Sequence, residues 1–204
     1  RLGRVLAVHA MFWLFKPDDY FDTAWRRAAG GGPVFLNLIH DVDNLRYLLG
    51  DVAAVQARES NAVRGHAVEE TSVVLLEFRS GVLATCSASD AVVAPWSWEH
   101  TAGENPDFPR EDQFCYLIGG THGSLSVPSL ELWHHPGTRS WLEPFGRTRE
   151  SFEKHDPLAL QIRNFCRVIR GEEQPVVSGR EGLETLKVIM AVKQAARTGE
   201  VVRL

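Results

Sequence analysis

The pattern of apolar residues changes from alternating to helical within the first quarter of the chain. Residues 2–15 alternate loosely and are rich in Val, Phe and Trp, which predicts a β-strand. A polar segment at 16–19 and a run of glycines at 30–32 separate this strand from the next element. After Pro33, apolar residues recur at helical spacing up to Gly50, a residue suited to end a helix.

The middle of the chain predicts a run of strands that is interrupted by one long aperiodic segment. The predicted strands cover 52–60, 70–79, 81–89, 114–119, 124–127 and 129–133, with another around Trp141. Residues 90–112 have no clear period and hold two Trp, three Pro and several charges. A segment of this length without regular structure is usually functional or mobile in a compact domain.

The last third of the chain predicts two helices. An Asp-Pro pair at 156–157 suits a helix start, and apolar residues then repeat along one face until Gly171. An S-x-x-E capping box at 178–181 begins a second amphipathic helix that runs to Thr198. The order of strand, helix, several strands and two helices predicts a single α+β domain over residues 1–204. We expect an open, mainly antiparallel sheet with helices packed on one face.

Composition narrows the class of protein without naming a reaction. The hydrophobic fraction is 44% and the net charge is -4, so the chain can bury a core and lacks the basic balance typical of nucleic-acid binding. No apolar run approaches the roughly 18–20 residues of a membrane span. The cysteines are too few and too dispersed for a disulfide framework, which favours the cytoplasm: Cys86, Cys115 and Cys166.

The segment 30–51, GGGPVFLNLIHDVDNLRYLLGD, carries the clearest chemical signal. Its glycines allow the backbone to pass close to a ligand or to another chain segment. His40 lies inside the predicted helix, with Asp43 and Arg46 following at one-turn intervals. A histidine suits general base catalysis because imidazole titrates near neutral pH. The alternative is a core histidine with a satisfied hydrogen bond.

This segment resembles the helix that follows a GGG sequence in the Gfo/Idh/MocA family of oxidoreductases. The matching positions are His40, Asp43, Arg46, Leu49 and Gly50. The resemblance implies the fold of the C-terminal domain of a glucose-fructose oxidoreductase-like enzyme. It further implies hydride transfer between NAD or NADP and a sugar, polyol or related hydroxy compound, with His40 facing the reacting carbon. One position differs, because Leu36 stands where many members have an aspartate and Asn37 is the nearest polar residue.

Two further segments resemble a subgroup of the same family. In FKPDDYFDTAWRRAAGGG, residues 15–32, the resemblance places Lys16, Tyr20 and Arg26 toward the substrate, the alternative being a solvated loop. In PWSWEHTAGENP, residues 95–106, Trp98 can stack on a sugar ring and Glu99 can bind hydroxyls, the alternative being an oligomer contact. The expected site has His40 as its catalytic residue, with substrate contacts from Lys16, Tyr20, Arg26, Asn37, Asp43, Trp98 and Glu99.

The cofactor site is expected to lie outside this chain. No G-x-G-x-x-G sequence follows a predicted strand, so we expect NAD or NADP to be bound mainly by an N-terminal Rossmann domain absent from these residues. The glycines at 119–123 precede a strand pattern and predict a hairpin turn, and the pair His134-His135 predicts a turn without a metal. The alternative to an enzyme domain is a non-catalytic oligomerisation or ligand-binding module. In either case the free sheet face favours a homo-oligomer.

Overall fold

A nine-stranded sheet forms the body of the molecule. The structure is a computed structural model that describes residues 1–153 and 155–204. The strands in chain order are β1 Val5–Trp13, β2 Val52–Ser60, β3 Thr71–Phe78, β4 Leu83–Ser89, β5 Tyr116–Gly120, β6 Gly123–Val127, β7 Glu131–His134, β8 Gly146–Arg149 and β9 Val202–Arg203. Their order across the sheet is β8-β7-β6-β5-β1-β4-β3-β2-β9.

The sheet is mainly antiparallel and has one parallel pair at its centre. β1 pairs in parallel with β4, with Ala7 opposite Leu83, and antiparallel with β5 on its other side. The other neighbouring strands run antiparallel to one another. The parallel pair arises because β1 is followed by a helix and a three-stranded meander before the chain returns beside it. The predicted α+β class with a mainly antiparallel sheet is confirmed.

Two long helices cover one face of this sheet. The α-helices are α1 Ile39–Leu49, α2 Trp98–Ala102, α3 Pro157–Ile169 and α4 Gly179–Thr198. Helix α4 packs on β2, and α1 packs beside α4. Leu45 of α1 and Ile189 of α4 are fully buried, as their positions on the apolar stripe of each helix require. They meet the inward-facing residues of the strands, such as Val74 and Leu76 of β3.

Helix α3 departs from the prediction that the helices pack on one face. It forms where its Asp-Pro start predicts, and its apolar residues share one face, yet no residue of α3 is buried. Phe165 in the middle of that face is 64% exposed. The amphipathic pattern identified the apolar face of α3 correctly. It could not show that the described residues place no element against that face.

The strand predicted around Trp141 is also wrong. Trp141 is 94% exposed in a turn, and the strand at this point, β8, begins only at Gly146. The prediction rested on an aromatic residue without any periodic pattern, in a segment bordered by Pro136 and Pro144. The hairpin turn predicted at 119–123 is confirmed, since it joins β5 to β6.

Within the described ranges, no helix has the length and apolarity needed to cross a membrane. The same residues contain no group of three or more His, Cys, Asp or Glu side chains placed to hold a metal ion. Burial raises the pKa of the Cys115 thiol to about 12, and burial likewise raises the pKa of Cys86. Both thiols are therefore held in the unreactive protonated form.

Candidate active site

The glycine run before α1 allows one chain segment to approach another closely. A Cβ atom on Gly31 would lie 2.4 Å from the backbone oxygen of Trp25, and one on Gly32 would lie 2.4 Å from Glu69 Oε1. The approach lets Glu69 Oε1 accept a hydrogen bond of 3.1 Å from the backbone N–H of Val34. Val34 begins the single π-helical turn, Val34–Leu38, that leads directly into α1. Glu69 thus satisfies a free N–H at the start of the helical segment that carries the candidate site.

A cavity of about 430 Å³ opens at the first turn of α1. It brings together side chains from β1, from the π-helical turn and α1, and from α2 and the residues after it. Its lining is Phe12, Asn37, His40, Asp41, Asn44, Trp98, Glu99, Glu104 and Asn105. Four of the residues expected at a substrate site therefore share one cavity: Asn37, His40, Trp98 and Glu99.

His40 faces this cavity without an internal partner. Its side chain is exposed, and no other described residue forms a hydrogen bond with the imidazole. This placement contradicts the alternative of a satisfied core histidine. Both ring nitrogens remain free to exchange a proton with a bound molecule.

Asp41, the next residue, forms the buried floor of the cavity. It is 3% exposed, and the Tyr116 hydroxyl donates a hydrogen bond of 2.5 Å to its Oδ1 atom. Asn44 Nδ2 donates in turn to the Tyr116 hydroxyl oxygen at 3.1 Å. Burial raises the pKa of Asp41 from 3.8 to about 7, the Tyr116 hydrogen bond opposes this rise, and the negative charge of Glu99 adds to it. Asp41 is thus poised to exchange a proton near neutral pH.

Asp41, Asn44 and Tyr116 were missed by reasoning from sequence. A signal for two of them exists, because Asn37, Asp41 and Asn44 recur at spacings of four and three and form a polar stripe on an apolar helix. The resemblance drew attention instead to Asp43. Nothing in the sequence marks Tyr116, since its contact with Asp41 joins positions 75 residues apart.

Helix α2 presents Trp98 and Glu99 to the cavity. Ser97 caps the helix by accepting from the backbone N–H of His100 at 3.4 Å. The Trp98 ring packs 5.7 Å from the Tyr116 ring, and its indole N–H donates to Glu104 at 2.8 Å. Glu99 Oε2 is buried and lacks a hydrogen-bond partner among the described residues. This oxygen can accept a hydrogen bond from a hydroxyl group of a molecule that enters the cavity.

Lys16 reaches the cavity indirectly. Its ammonium group donates to Asn37 Oδ1 at 2.8 Å and lies 3.4 Å from Asp90 Oδ2. Burial lowers the pKa of Lys16, whereas the charge of Asp90 opposes this effect. The centroid of the Tyr20 ring lies 5.0 Å from Lys16 Nζ and 4.0 Å from Arg26 Cζ. The structure therefore gathers Lys16, Tyr20 and Arg26 into one cluster, and Tyr20 and Arg26 do not line the 430 Å³ cavity.

Asp43 lies on another side of α1. Its Oδ1 atom accepts a hydrogen bond of 2.7 Å from the Thr185 hydroxyl of α4. Arg46 on the same side donates to the Glu181 backbone oxygen at 3.0 Å and to the Thr185 hydroxyl at 2.9 Å. Asp43 is not part of the cavity lining. Its contacts join α1 to α4.

A second cavity of about 630 Å³ adjoins the first and shares Trp98 and Glu104 with it. Its walls are largely apolar and include Val127, Leu130 and Phe152. The larger volume does not make it the better candidate for chemistry. The smaller cavity brings His40 together with the buried carboxyl of Asp41 and the unpartnered Glu99 oxygen, a combination suited to proton transfer, whereas the polar groups of the larger one include the exposed His155 and Asp156.

The fold is shared with a sugar oxidoreductase of known structure. An aldose-aldose oxidoreductase from Caulobacter crescentus, solved in complex with glycerol, superposes with a TM-score of 0.72 at 24% sequence identity. The alignment covers 100% of this chain and 56% of that chain. The fold of this chain therefore occurs as one part of a longer chain in that protein.

Residues 1–126 match the family model described as GFO/IDH/MocA C-terminal domain, and the chain belongs to this family. The family resemblance predicted from the sequence is confirmed. The chain is 25% identical over 203 residues to the 1,5-anhydro-D-fructose reductase of Ensifer adhaerens, covering 98% of this chain and 56% of that protein. It is 29% identical over 173 residues to the D-apiose dehydrogenase of Paraburkholderia graminis, covering 81% of this chain and 43% of that protein. The chain spans about half the length of these relatives.

Proposed function

We propose that this chain is the substrate-side domain of an NAD- or NADP-dependent oxidoreductase that acts on a sugar, a polyol or a related hydroxy compound. The observation that carries the proposal is the exposed imidazole of His40, which has no hydrogen-bond partner among the described residues and lies in a cavity lined mainly by amide and carboxyl side chains that can bind hydroxyls. Membership of the Gfo/Idh/MocA family and the two sugar-converting relatives support the substrate class.

The side chains of the cavity divide the work between proton transfer and binding. His40 takes the proton of the reacting hydroxyl as the C–O bond becomes a carbonyl, and returns it in the reverse direction. A nicotinamide bound beside the same carbon would supply the hydride acceptor that this oxidation requires. Glu99 and Asn37 bind neighbouring hydroxyls, and the Trp98 ring packs against the apolar face of the sugar. Lys16 fixes the orientation of Asn37 through its hydrogen bond to Oδ1.

The described residues do not themselves fit a dinucleotide. The glycine-rich strand end at 119–123 leads into β6 and not into a helix N-terminus that would face a pyrophosphate. We therefore assign NAD or NADP mainly to another domain of the parent protein. Residues 1–204 form one domain that supplies the opposite wall of the active site and contacts between subunits.

A second copy of the chain is the proposed partner for the open face of the sheet. Strands β3, β4 and β5 each expose apolar side chains on this face, at positions that alternate with the core residues. These side chains are Val73, Leu75, Leu83 and Leu117. Such a face commonly packs on an equivalent sheet and forms a closed oligomer. Sedimentation of the parent protein as a monomer at all concentrations would contradict this assignment. The reduced cysteines support a cytoplasmic location.

The test of the proposed activity uses the full-length protein that contains this chain. Nicotinamide absorbance is followed with NAD or NADP and a panel of aldoses and polyols, and with NADH or NADPH and 1,5-anhydro-D-fructose. We expect turnover of at least one substrate, and a loss of roughly 10²–10⁴-fold in kcat for His40→Ala. The matched control is His122→Ala, which changes an exposed histidine in the β5–β6 turn and should leave kcat unchanged.

Two results would contradict the proposal. Full turnover by a folded His40→Ala protein would remove the role assigned to that residue. Absence of both turnover and nicotinamide binding in the full-length protein would instead favour a non-catalytic oligomerisation or ligand-binding module built on the same fold.

A further inference from the structure

Asp41 has bonding capacity that the packing of the domain does not use. Within the described residues, Tyr116 is the only side chain that donates a hydrogen bond to the Asp41 carboxyl, and it reaches Oδ1. The carboxyl nevertheless belongs to the cavity lining that includes His40. A buried carboxyl with one side-chain donor retains lone pairs for a further hydroxyl.

The surroundings of Asp41 favour a role in binding over a role in packing. Tyr116 is itself held by Asn44, and it packs against Trp98 of the cavity wall. The carboxyl is therefore fixed in one position relative to the cavity. A carboxyl that served only to pair with Tyr116 would not need to face the same space as His40 and Glu99.

We propose that Asp41 is a second substrate-contacting residue, whose carboxylate accepts a hydrogen bond from the hydroxyl next to the one that His40 deprotonates. This inference rests on the proposed function and specifies its substrate class as a compound with adjacent hydroxyl groups. A hydrogen bond to a charged acceptor is stronger than one to a neutral acceptor, so the ionised carboxylate is the form that binds.

The groups around Asp41 determine when it is ionised. Glu99 on α2 adds negative charge, and the Tyr116 hydroxyl on β5 donates to the carboxylate and lowers its pKa. Cys115 beside β5 and Cys86 on β4 also face Asp41, and burial keeps both thiols neutral. Binding is consequently expected to weaken as the pH falls through about 7, where Asp41 becomes protonated.

The experiment measures kcat and KM against pH in the full-length enzyme, with the sugar or polyol that gives the highest turnover. Asp41→Asn should raise KM and lower kcat/KM roughly 10- to 100-fold, the loss expected for one hydrogen bond to a charged group. It should also remove one inflection from the pH profile of kcat/KM. The control Glu184→Gln removes a half-buried carboxylate on α4 that pairs with Lys187, and it should leave KM and the profile unchanged.

Tyr116→Phe separates Asp41 from His40, since imidazole groups also titrate near neutral pH. Removing the hydroxyl takes away a hydrogen bond that lowers the pKa of Asp41, so the inflection should move to higher pH. A packing role alone would reduce stability without moving the inflection. Unchanged KM and an unchanged pH profile in a folded Asp41→Asn protein would overturn the inference.

A direct titration keeps this inference distinct from the proposed function. The carboxyl carbon of Asp41 is followed by NMR against pH in the full-length protein, with and without a high concentration of glycerol. We expect glycerol to lower the titration midpoint, because it binds the ionised form. If glycerol lowers the midpoint although no substrate is turned over, the binding role survives and the proposed activity fails. If substrates are turned over and glycerol leaves the midpoint unchanged, the activity stands and the role of Asp41 is wrong.

Discussion

Helix α1 carries polar and charged residues both on the side that faces the cavity and on the side that faces α4. The two sides differ in how many hydrogen bonds these residues form within the fold. On the α4 side, Asp43 and Arg46 both bond to Thr185, and Arg46 bonds to Glu181 as well. On the cavity side, the residues that the structure describes offer His40 no hydrogen-bond partner and Asp41 a single side-chain donor. The two aspartates stand only two positions apart in the sequence. Residue type alone therefore does not distinguish a structural polar group from a functional one. The hydrogen bonds that the group forms within the fold are the better guide.

This difference gives opposite expectations for stability. Polar groups that are fully paired on the α4 side should stabilise the fold, because their removal leaves buried partners without hydrogen bonds. A buried acid on the cavity side should cost stability whenever it is ionised. Substitutions on the two sides can test the contrast directly.

The largest expected effect on stability comes from Asp41. Its folded-state pKa of about 7 lies above the ordinary value of 3.8, so the folded protein binds the proton more tightly than the unfolded chain does. The stabilisation is complete below about pH 4 and is lost as the pH rises through about 7. Each pKa unit corresponds to about 1.4 kcal/mol, so ionisation should cost on the order of 4 kcal/mol.

Denaturant unfolding over this pH range measures that cost. The free energy of unfolding of the natural chain should fall as the pH rises from about 4 to about 7, and Asp41→Asn should remove most of the fall. An equal pH dependence in the two proteins would contradict the burial assigned to this carboxyl.

A smaller loss is expected from Arg46→Met on the α4 side. The guanidinium is buried and donates to the backbone oxygen of Glu181 and to Thr185, so its removal leaves both acceptors without that donor. We expect the free energy of unfolding to fall by about 2–3 kcal/mol. The exposed Arg180→Met is the control and should change it by less than about 0.5 kcal/mol. Equal effects of the two substitutions would show that the buried network does not stabilise the fold.

The smallest of these effects is expected from Thr185→Val. The substitution removes the hydroxyl that connects Asp43 to Arg46 while keeping the shape of the side chain. Chemical denaturation should show a loss of about 1 kcal/mol, and Thr185→Ser should restore most of it. KM for the substrate should stay unchanged in both variants. A change in KM without a change in stability would place Asp43 at the substrate after all.

An element of the fold could be predicted from the sequence where a local pattern was enough to define it. The alternation in β1 and β3 and the capped starts of α3 and α4 are local signals, and these elements form where they were expected. The partner of an apolar face is not a local property, which is why the exposure of α3 could not be foreseen. The strand predicted at Trp141 had no period to support it.

The candidate site was predictable only in part. The motif around His40 and the aromatic segment containing Trp98 were identified, and the structure places both at one cavity. The floor of that cavity depends on the contact between Asp41 and Tyr116, which the sheet topology creates by bringing β5 beside β1. Spacing within one helix cannot reveal such a contact. The same limitation led to Asp43 being expected at the substrate, although the structure pairs it with α4.

A crystal structure of the full-length protein with NAD or NADP and a bound polyol would test the central claim most directly. The account predicts a substrate hydroxyl within hydrogen-bond distance of the His40 imidazole, roughly 2.6–3.2 Å, inside the cavity that Asn37 and Glu99 line. A polyol bound only in the apolar cavity beside Phe152, away from His40, would contradict it.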